Sequence, residues 1–239
     1  MTRAPIGFLI NSFESGGAQR VFIDDANEFS RQGAKVVFCV LYGESGTYPF
    51  ERELNAAVEK VFLHARGPFD MRAAARARRV FRARGVRVLM STLNDGNIFA
   101  RWVALGSGIR LFQREANTLS TKTSFQRMLD VLLSWVPYRF LAVSSDIAAE
   151  LARLLPFSKK KILRLPNSVT VQEPAPHAMR TVPRILSVGR LTEQKDYPTL
   201  LAALAELSRN GHAFSCVCIG GGTLRAQLEQ KAREEGIAG

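Results

Sequence analysis

Short apolar runs alternate with stretches of helical period along this chain, and that alternation narrows the fold to a parallel sheet wrapped by helices. Parallel neighbours need a crossover of a dozen or more residues, which a helix fills. Residues 6–10 read as the first strand and 11–17 as a loop that ends in glycine. Ala18, Val21, Phe22, Ala26 and Phe29 then recur at spacings of three and four, which makes one apolar helix face, and Gly33 stops it. Further strands are predicted at 35–41, 60–63, 86–91, 110–113, 140–143 and 162–165. Helices are expected at 98–105, at 125–136 with Pro137 as its stop, and at 146–155 with Ser144 or Ser145 as N-cap. An arginine-rich helix falls between the third and fourth strands.

The pattern then breaks and restarts. Residues 172–183 carry Pro174, Pro176 and Pro183 and read as a linker, because proline stiffens a chain without packing it. A strand at 184–188, a helix that Pro198 opens and Gly211 closes, a strand at 213–219, the turn Gly220-Gly221-Gly222 and a helix at 224–235 follow. The expected organisation is an α/β chain with a Rossmann-like first domain over 1–171, the linker over 172–183 and a second domain over 184–239. Two β-α units cannot cover both faces of a parallel sheet, so that second domain reads as partial.

A net charge of +12 points to an anionic partner: nucleotide phosphates, an anionic membrane face or nucleic acid. Nucleic acid is excluded as the expectation, since no helix-turn-helix, zinc finger or aromatic-rich sheet motif accompanies the charge. Arg72, Arg76, Arg78, Arg79, Arg82, Arg84 and Arg87 read as a solvated helix face. No apolar run reaches the roughly 20 residues of a spanning helix, and no signal-peptide core follows Met1, so a cytoplasmic location is expected. Residues 125–140 set Met128, Leu129, Leu132, Leu133, Trp135 and Val136 beside Lys122, Arg127 and Arg139. Such a helix either packs on the sheet, the simpler reading, or lies at a membrane interface. Cys39, Cys216 and Cys218 form no disulfide framework, and they read as buried core thiols rather than as a metal set with His212.

Three glycine turns follow strands and open helices: Ser15-Gly16-Gly17, Gly189-Arg190 and Gly220-Gly221-Gly222. Such turns aim backbone N–H groups and a helix dipole at one point, where an anion can be held. Glycine is also common there for steric reasons alone. None spells the full Gly-x-Gly-x-x-Gly dinucleotide fingerprint, so a nicotinamide or flavin enzyme is not supported. Arg190 and Lys195, five residues apart in one loop, can flank a diphosphate from two sides.

Four stretches, in order, resemble the family-4 glycosyltransferases. They are Gly16-Gly17-Ala18-Gln19-Arg20-Val21, then Val143-Ser144-Ser145 with Leu165-Pro166-Asn167-Ser168-Val169, then residues 185–196 from Ile185 through Gly189, Arg190 and Lys195 to Asp196, and last Ile219-Gly220-Gly221-Gly222-Thr223-Leu224-Arg225. Gln19 stands where the family usually has glutamate.

The resemblance implies a GT-B fold, with an acceptor-side first domain and a second domain that holds a nucleotide sugar. It implies that Gly189, Arg190 and Lys195 hold the donor diphosphate, that Gly220, Gly221 and Gly222 line the nucleotide, and that Gly16 and Gly17 approach the donor from the first domain. Arg114 and Asn117 become acceptor-side candidates. The nucleotide sugar enters as substrate, and no cofactor or metal is implied; no Asp-x-Asp motif is present. The expected reaction is retaining transfer to a glycan or lipid-linked acceptor, in cell-surface polysaccharide synthesis, with peripheral contact at the inner membrane face. Many relatives carry histidine where this chain has Ala116, so no catalytic acid or base is assigned. The family's Glu-x7-Glu motif would lie beyond Gly239, so the chain is expected to be truncated in its second domain and inactive alone. A non-catalytic, nucleotide- or sugar-binding remnant is the alternative.

Overall fold

The computed structural model describes residues 3–169 and 182–238. Two compact units divide the chain, 1–171 and 172–239. Most of the expected linker, including Pro174 and Pro176, lies outside the described residues.

In the first unit the strands are β1 (Arg3–Ile10), β2 (Ala34–Val40), β3 (Glu59–Phe62), β4 (Val88–Thr92), β5 (Arg110–Glu115), β6 (Arg139–Ala142) and β7 (Ile162–Arg164). All neighbours pair in parallel, in the order β3-β2-β1-β4-β5-β6-β7. The helices are α1 (Gly17–Arg31), α2 (Met71–Ala83), α3 (Asn94–Ala104), α4 (Ser124–Leu132) and α5 (Ser145–Leu154). Helices cover the sheet on both sides, so the strands read as unbroken apolar runs and not as alternation. Phe8, Ile10, Val36, Phe38 and Val40 point to the α1 side. Leu9, Val37, Cys39 and Leu41 point to the α2 and α3 side. Aromatic rings fill the first layer: Phe8 meets Phe22 edge-on at 4.9 Å, and Phe13 stacks on Phe38 at 5.2 Å. Cys39 is buried, and burial pushes its thiol pKa up.

The packing of α3, β5 and α4 is polar. Arg101 on α3 donates to Gln113 Oε1 at 2.9 Å and to Asp130 Oδ1 at 2.7 Å. Lys122 bridges Glu115 at 2.8 Å and Asp130 at 2.7 Å. Asn97 and Gln113 add donors to Glu115 Oε1. Two cations and two carboxylates, all buried, form a neutral set in which every carboxylate oxygen meets a donor, the condition under which buried charge is tolerated. Burial alone lowers the Lys122 pKa, but Glu115 and Asp130 outweigh it and hold it above the ordinary lysine value.

The helix predicted at 125–136 ends at Leu132. Past it, the Lys161 ammonium takes the carbonyls of Ser134, Trp135 and Pro137 and substitutes for further helical turns. Nor does α4 pack its apolar stripe on the sheet: Asp130 is its only buried residue, while Phe125, Met128, Val131 and Leu132 are exposed. The arginine-rich helix α2 is only in part a solvated face. Arg78 reaches the carbonyls of Trp102, Val103 and Leu105 and so caps the end of α3.

In the second unit β8 (Arg184–Val188) pairs in parallel with β9 (Ser215–Ile219). Helices α6 (Tyr197–Arg209) and α7 (Arg225–Glu234) bury Leu191, Tyr197, Leu201, Leu204 and Leu228 against one face. On the other face Leu186, Val188 and Ile219 are exposed. Cys218 is exposed as well, contrary to the reading of all three cysteines as buried.

Lys122→Met leaves Glu115 and Asp130 buried without their cation, and is expected to cost the first unit about 3–5 kcal/mol in urea unfolding. Because the folded lysine pKa is raised, its stabilisation is complete below the ordinary lysine range and is lost as pH rises through the folded value. Lys122→Met should therefore flatten the alkaline limb of stability against pH.

Candidate functional site

Parallel strands send all their carboxyl ends to one edge, and ligands of such sheets bind there, where successive crossovers diverge. The first unit diverges between β1 and β4. The loop after β1 carries Asn11 and Gly16 and leads to Gly17 at the start of α1, while β4 passes through Leu93 straight to Asp95 and Gly96 in the first turn of α3. Asn11 Oδ1 accepts from the Gly96 N–H at 2.7 Å and ties the loop after β1 to the start of α3. Tyr42 donates to Asp95 Oδ2 at 2.9 Å; burial, then this carboxylate, pushes the phenol pKa up. Leu93 holds φ 67°, a conformation that a leucine adopts only under constraint. Next to it, Thr92 Oγ1 is buried with no hydrogen-bond partner among the described residues. Asn11, Thr92 and Leu93 were not marked by sequence reasoning; the Asn94-Asp95-Gly96 run straight after a strand was the available signal.

Helix α1 opens at Gly17 with Gly16 as N-cap, no side-chain cap and no acid in its first turn. Its first N–H groups and dipole therefore face this edge uncompensated. Arg20, one turn in, is engaged with Asp24 and Glu53. Arg114, at the end of β5, is buried between Asp25 Oδ2 and Asn167 Oδ1, each 2.7 Å away. It thus braces α1 against the Pro166-Asn167 turn. Burial raises the Asp25 pKa, and Arg114 offsets this in part. Asn117 is half-buried in the loop beyond.

In the second unit the turns after β8 and β9 leave neighbouring parallel strands side by side. Leu191 N–H donates to Gly221 O at 2.8 Å, and Leu224 N–H returns to Leu191 O at 3.1 Å. Tyr197 donates its hydroxyl to Gly189 O at 3.2 Å. A Cβ on Gly220 would overlap the Gly189 carbonyl oxygen, and one on Gly222 that of Leu191, whereas one on Gly221 would meet nothing. The outer two glycines are thus required by the close approach of the loops.

Arg190 and Lys195 share this end of the sheet. The methylene stem of Lys195 lies over Gly189, its Cγ 3.8 Å from where a Cβ there would stand. Arg190 is exposed, with Gln194 Oε1 3.4 Å away. The 3-10 turn Glu193–Lys195 returns the chain over Gly189, whose carbonyl in turn lies against Gly220. Gly189, Arg190, Lys195 and Gly220 to Gly222 therefore form one cluster within the second unit. Gly16, Gly17, Arg114 and Asn117 lie along the carboxyl edge of the first.

Residues 16–168 match the family model described as Glycosyl transferase 4-like domain, and 172–239 match that of Glycosyl transferases group 1. No curated protein matches in sequence. Among solved structures, the lipopolysaccharide outer core galactosyltransferase WaaB in its apo form is 17% identical with a TM-score of 0.67, over 98% of this chain and 66% of that one. A glycosyltransferase from Rickettsia africae is 14% identical with a TM-score of 0.74, over 98% and 65%. Anabaena HepE in complex with UDP-glucose is 15% identical with a TM-score of 0.76, over 98% and 67%. The chain thus spans about two thirds of the length of each, and the likeness shows the GT-B fold.

Gly220→Ala and Gly222→Ala are each expected to destabilise the second unit by about 1–3 kcal/mol through overpacking, and Gly221→Ala by under ~0.5 kcal/mol. Pulse proteolysis in urea measures the three.

Proposed function

Because this chain belongs to the glycosyl transferase 4-like family, we propose that it serves retaining transfer of a sugar from a nucleotide-sugar donor to a glycan or lipid-linked acceptor. The observation that carries this is the cluster of Arg190, Lys195 and the glycine turn at the carboxyl ends of β8 and β9. When a nucleoside diphosphate departs, negative charge builds on its leaving oxygen. A guanidinium, an ammonium and backbone amides fixed in advance stabilise that charge without metal. Gly189, Arg190 and Lys195 hold the diphosphate on this reading, and Gly220 to Gly222 line the nucleotide. Support comes from HepE, whose structure contains UDP-glucose.

The crevice at the β1/β4 edge is the proposed acceptor side. The open N-terminus of α1 at Gly16 and Gly17 suits an anionic group, and Asn117 suits acceptor hydroxyls. Arg114, with Asp25 and Asn167 on its guanidinium, serves here by shaping the loop. No residue is assigned as acid or base. We place the reaction in the cytoplasm at the inner membrane face, in cell-surface polysaccharide synthesis. A second reading is binding of a nucleotide or sugar by the same cluster without turnover. A donor-turnover assay separates the two.

The test of the diphosphate assignment is calorimetric titration with UDP. Arg190→Ala and Lys195→Ala are each expected to weaken binding by about 1.5–3 kcal/mol, roughly ten- to 150-fold. Arg79→Ala, on the solvated side of α2, should change Kd by less than about fivefold. The Kd in EDTA should equal that in magnesium; equal losses at Arg79 and Arg190, or loss of binding on chelation, contradict the assignment.

A further inference from the structure

Helix α4 is held inside out, and what covers its outer face is open to physical argument. Asp130 alone is buried, gripped by Arg101 and Lys122. Turning the apolar stripe inward would expel that carboxylate, taking its ion-pair partner from buried Arg101 and leaving two buried cations to Glu115 alone, so the stripe is locked outward. At 100° per residue, Phe125, Met128, Val131 and Leu132 share one side of the helix, and Trp135 follows in the turn beyond. Leu132 is 60% and Trp135 62% exposed.

The stripe continues at both ends. The Phe69 ring lies 6.0 Å from that of Phe125, and exposed Met71 opens α2 beside it. At the other end Ser158 Oγ bonds Ser134 O at 3.2 Å and Lys161 Nζ bonds Trp135 O at 2.9 Å, which seats the 3-10 turn Pro156–Lys161 against the end of the helix. Phe157 in that turn is fully exposed. An apolar ridge of this length exceeds the scattered single hydrophobes of an ordinary surface.

We propose that this ridge is a docking face for an anionic lipid surface. Charge selects that occupant. Between residues 116 and 145 the only acid is Asp130, which is buried and paired, while Arg127 and Arg139 flank the ridge and Lys159 and Lys160 stand exposed beside Phe157. Tyr138, with the Arg139 guanidinium 4.4 Å from its ring centre, gives the amphipathic pairing that suits the headgroup level. At the Phe69 end, His64, Arg66, Arg72 and Arg76 line an open hollow of about 770 Å³ that also includes Asp70. Two copies meeting through this face would oppose like charges, whereas anionic headgroups complement them. The assignment rests on the peripheral location proposed above and names the surface responsible for it.

The experiment is flotation of the 239-residue chain with vesicles of phosphatidylglycerol and phosphatidylcholine, or of phosphatidylcholine alone, at low and high salt, with UDP titration as a parallel readout. Recovery with the anionic vesicles at low salt, falling severalfold at high salt, is expected. Leu132→Ser with Trp135→Ser, and separately Lys159→Glu with Lys160→Glu, should each cut the partition coefficient at least tenfold and leave UDP affinity unchanged. No recovery of the wild type at low salt, with UDP binding intact, overturns the docking face but not the transferase reading. Wild-type recovery that both variants retain also overturns it. So does a dimer in sedimentation velocity that Leu132→Ser with Trp135→Ser dissociates, which would make the face an interface between copies.

Discussion

Parallel pairing governs this molecule. Every strand contact among the described residues, in both units, is parallel, and a parallel pair cannot close with a tight turn. Each strand therefore hands the chain to a crossover, and every loop that leaves a carboxyl end emerges on one edge of its sheet. The helices that return must cover the sheet, which is why Phe8 and Leu9, or Phe38 and Cys39, are both buried although they face opposite ways. The loops collect at these edges, with Gly16 and Asn117 on the first sheet and Arg190 and Gly221 on the second.

Much of this was legible in the sequence because doubly covered strands leave a plain trace. The apolar runs at 35–41 and 86–91 matched strands β2 and β4 closely, and Ser144 caps α5 through its side chain, as its place before an apolar run suggested. Gly211 and Gly236 end their helices at positive φ, as expected of glycine just past a helix. The pattern of local spacings carries such features, since each depends on neighbours within a few residues.

What escaped depends on distant partners. Amphipathic period shows that α4 has an apolar side but not where that side points; Arg101, 29 residues before Asp130, decides it. Arg114 was expected to contact an acceptor because the resemblance put it on the acceptor side. Its guanidinium is met by Asp25, 89 residues earlier, and Asn167, 53 later. Arg78 caps α3 from another helix, so no helix-wheel count distinguishes it from the solvated Arg79. The glycine triplet was legible as a turn, yet only the carbonyls of Gly189 and Leu191 separate the sterically required Gly220 and Gly222 from the open Gly221.

Everything proposed for the second unit depends on its carboxyl edge, at the ends of β8 and β9, receiving a nucleoside diphosphate. Backbone amide chemical shifts followed by NMR during titration with UDP test it residue by residue. Saturable shifts concentrated in Gly189 to Lys195 and Gly220 to Thr223 are expected, with smaller changes along α2. Shifts confined to the loops after β1 and β4, with the second unit silent, would contradict it.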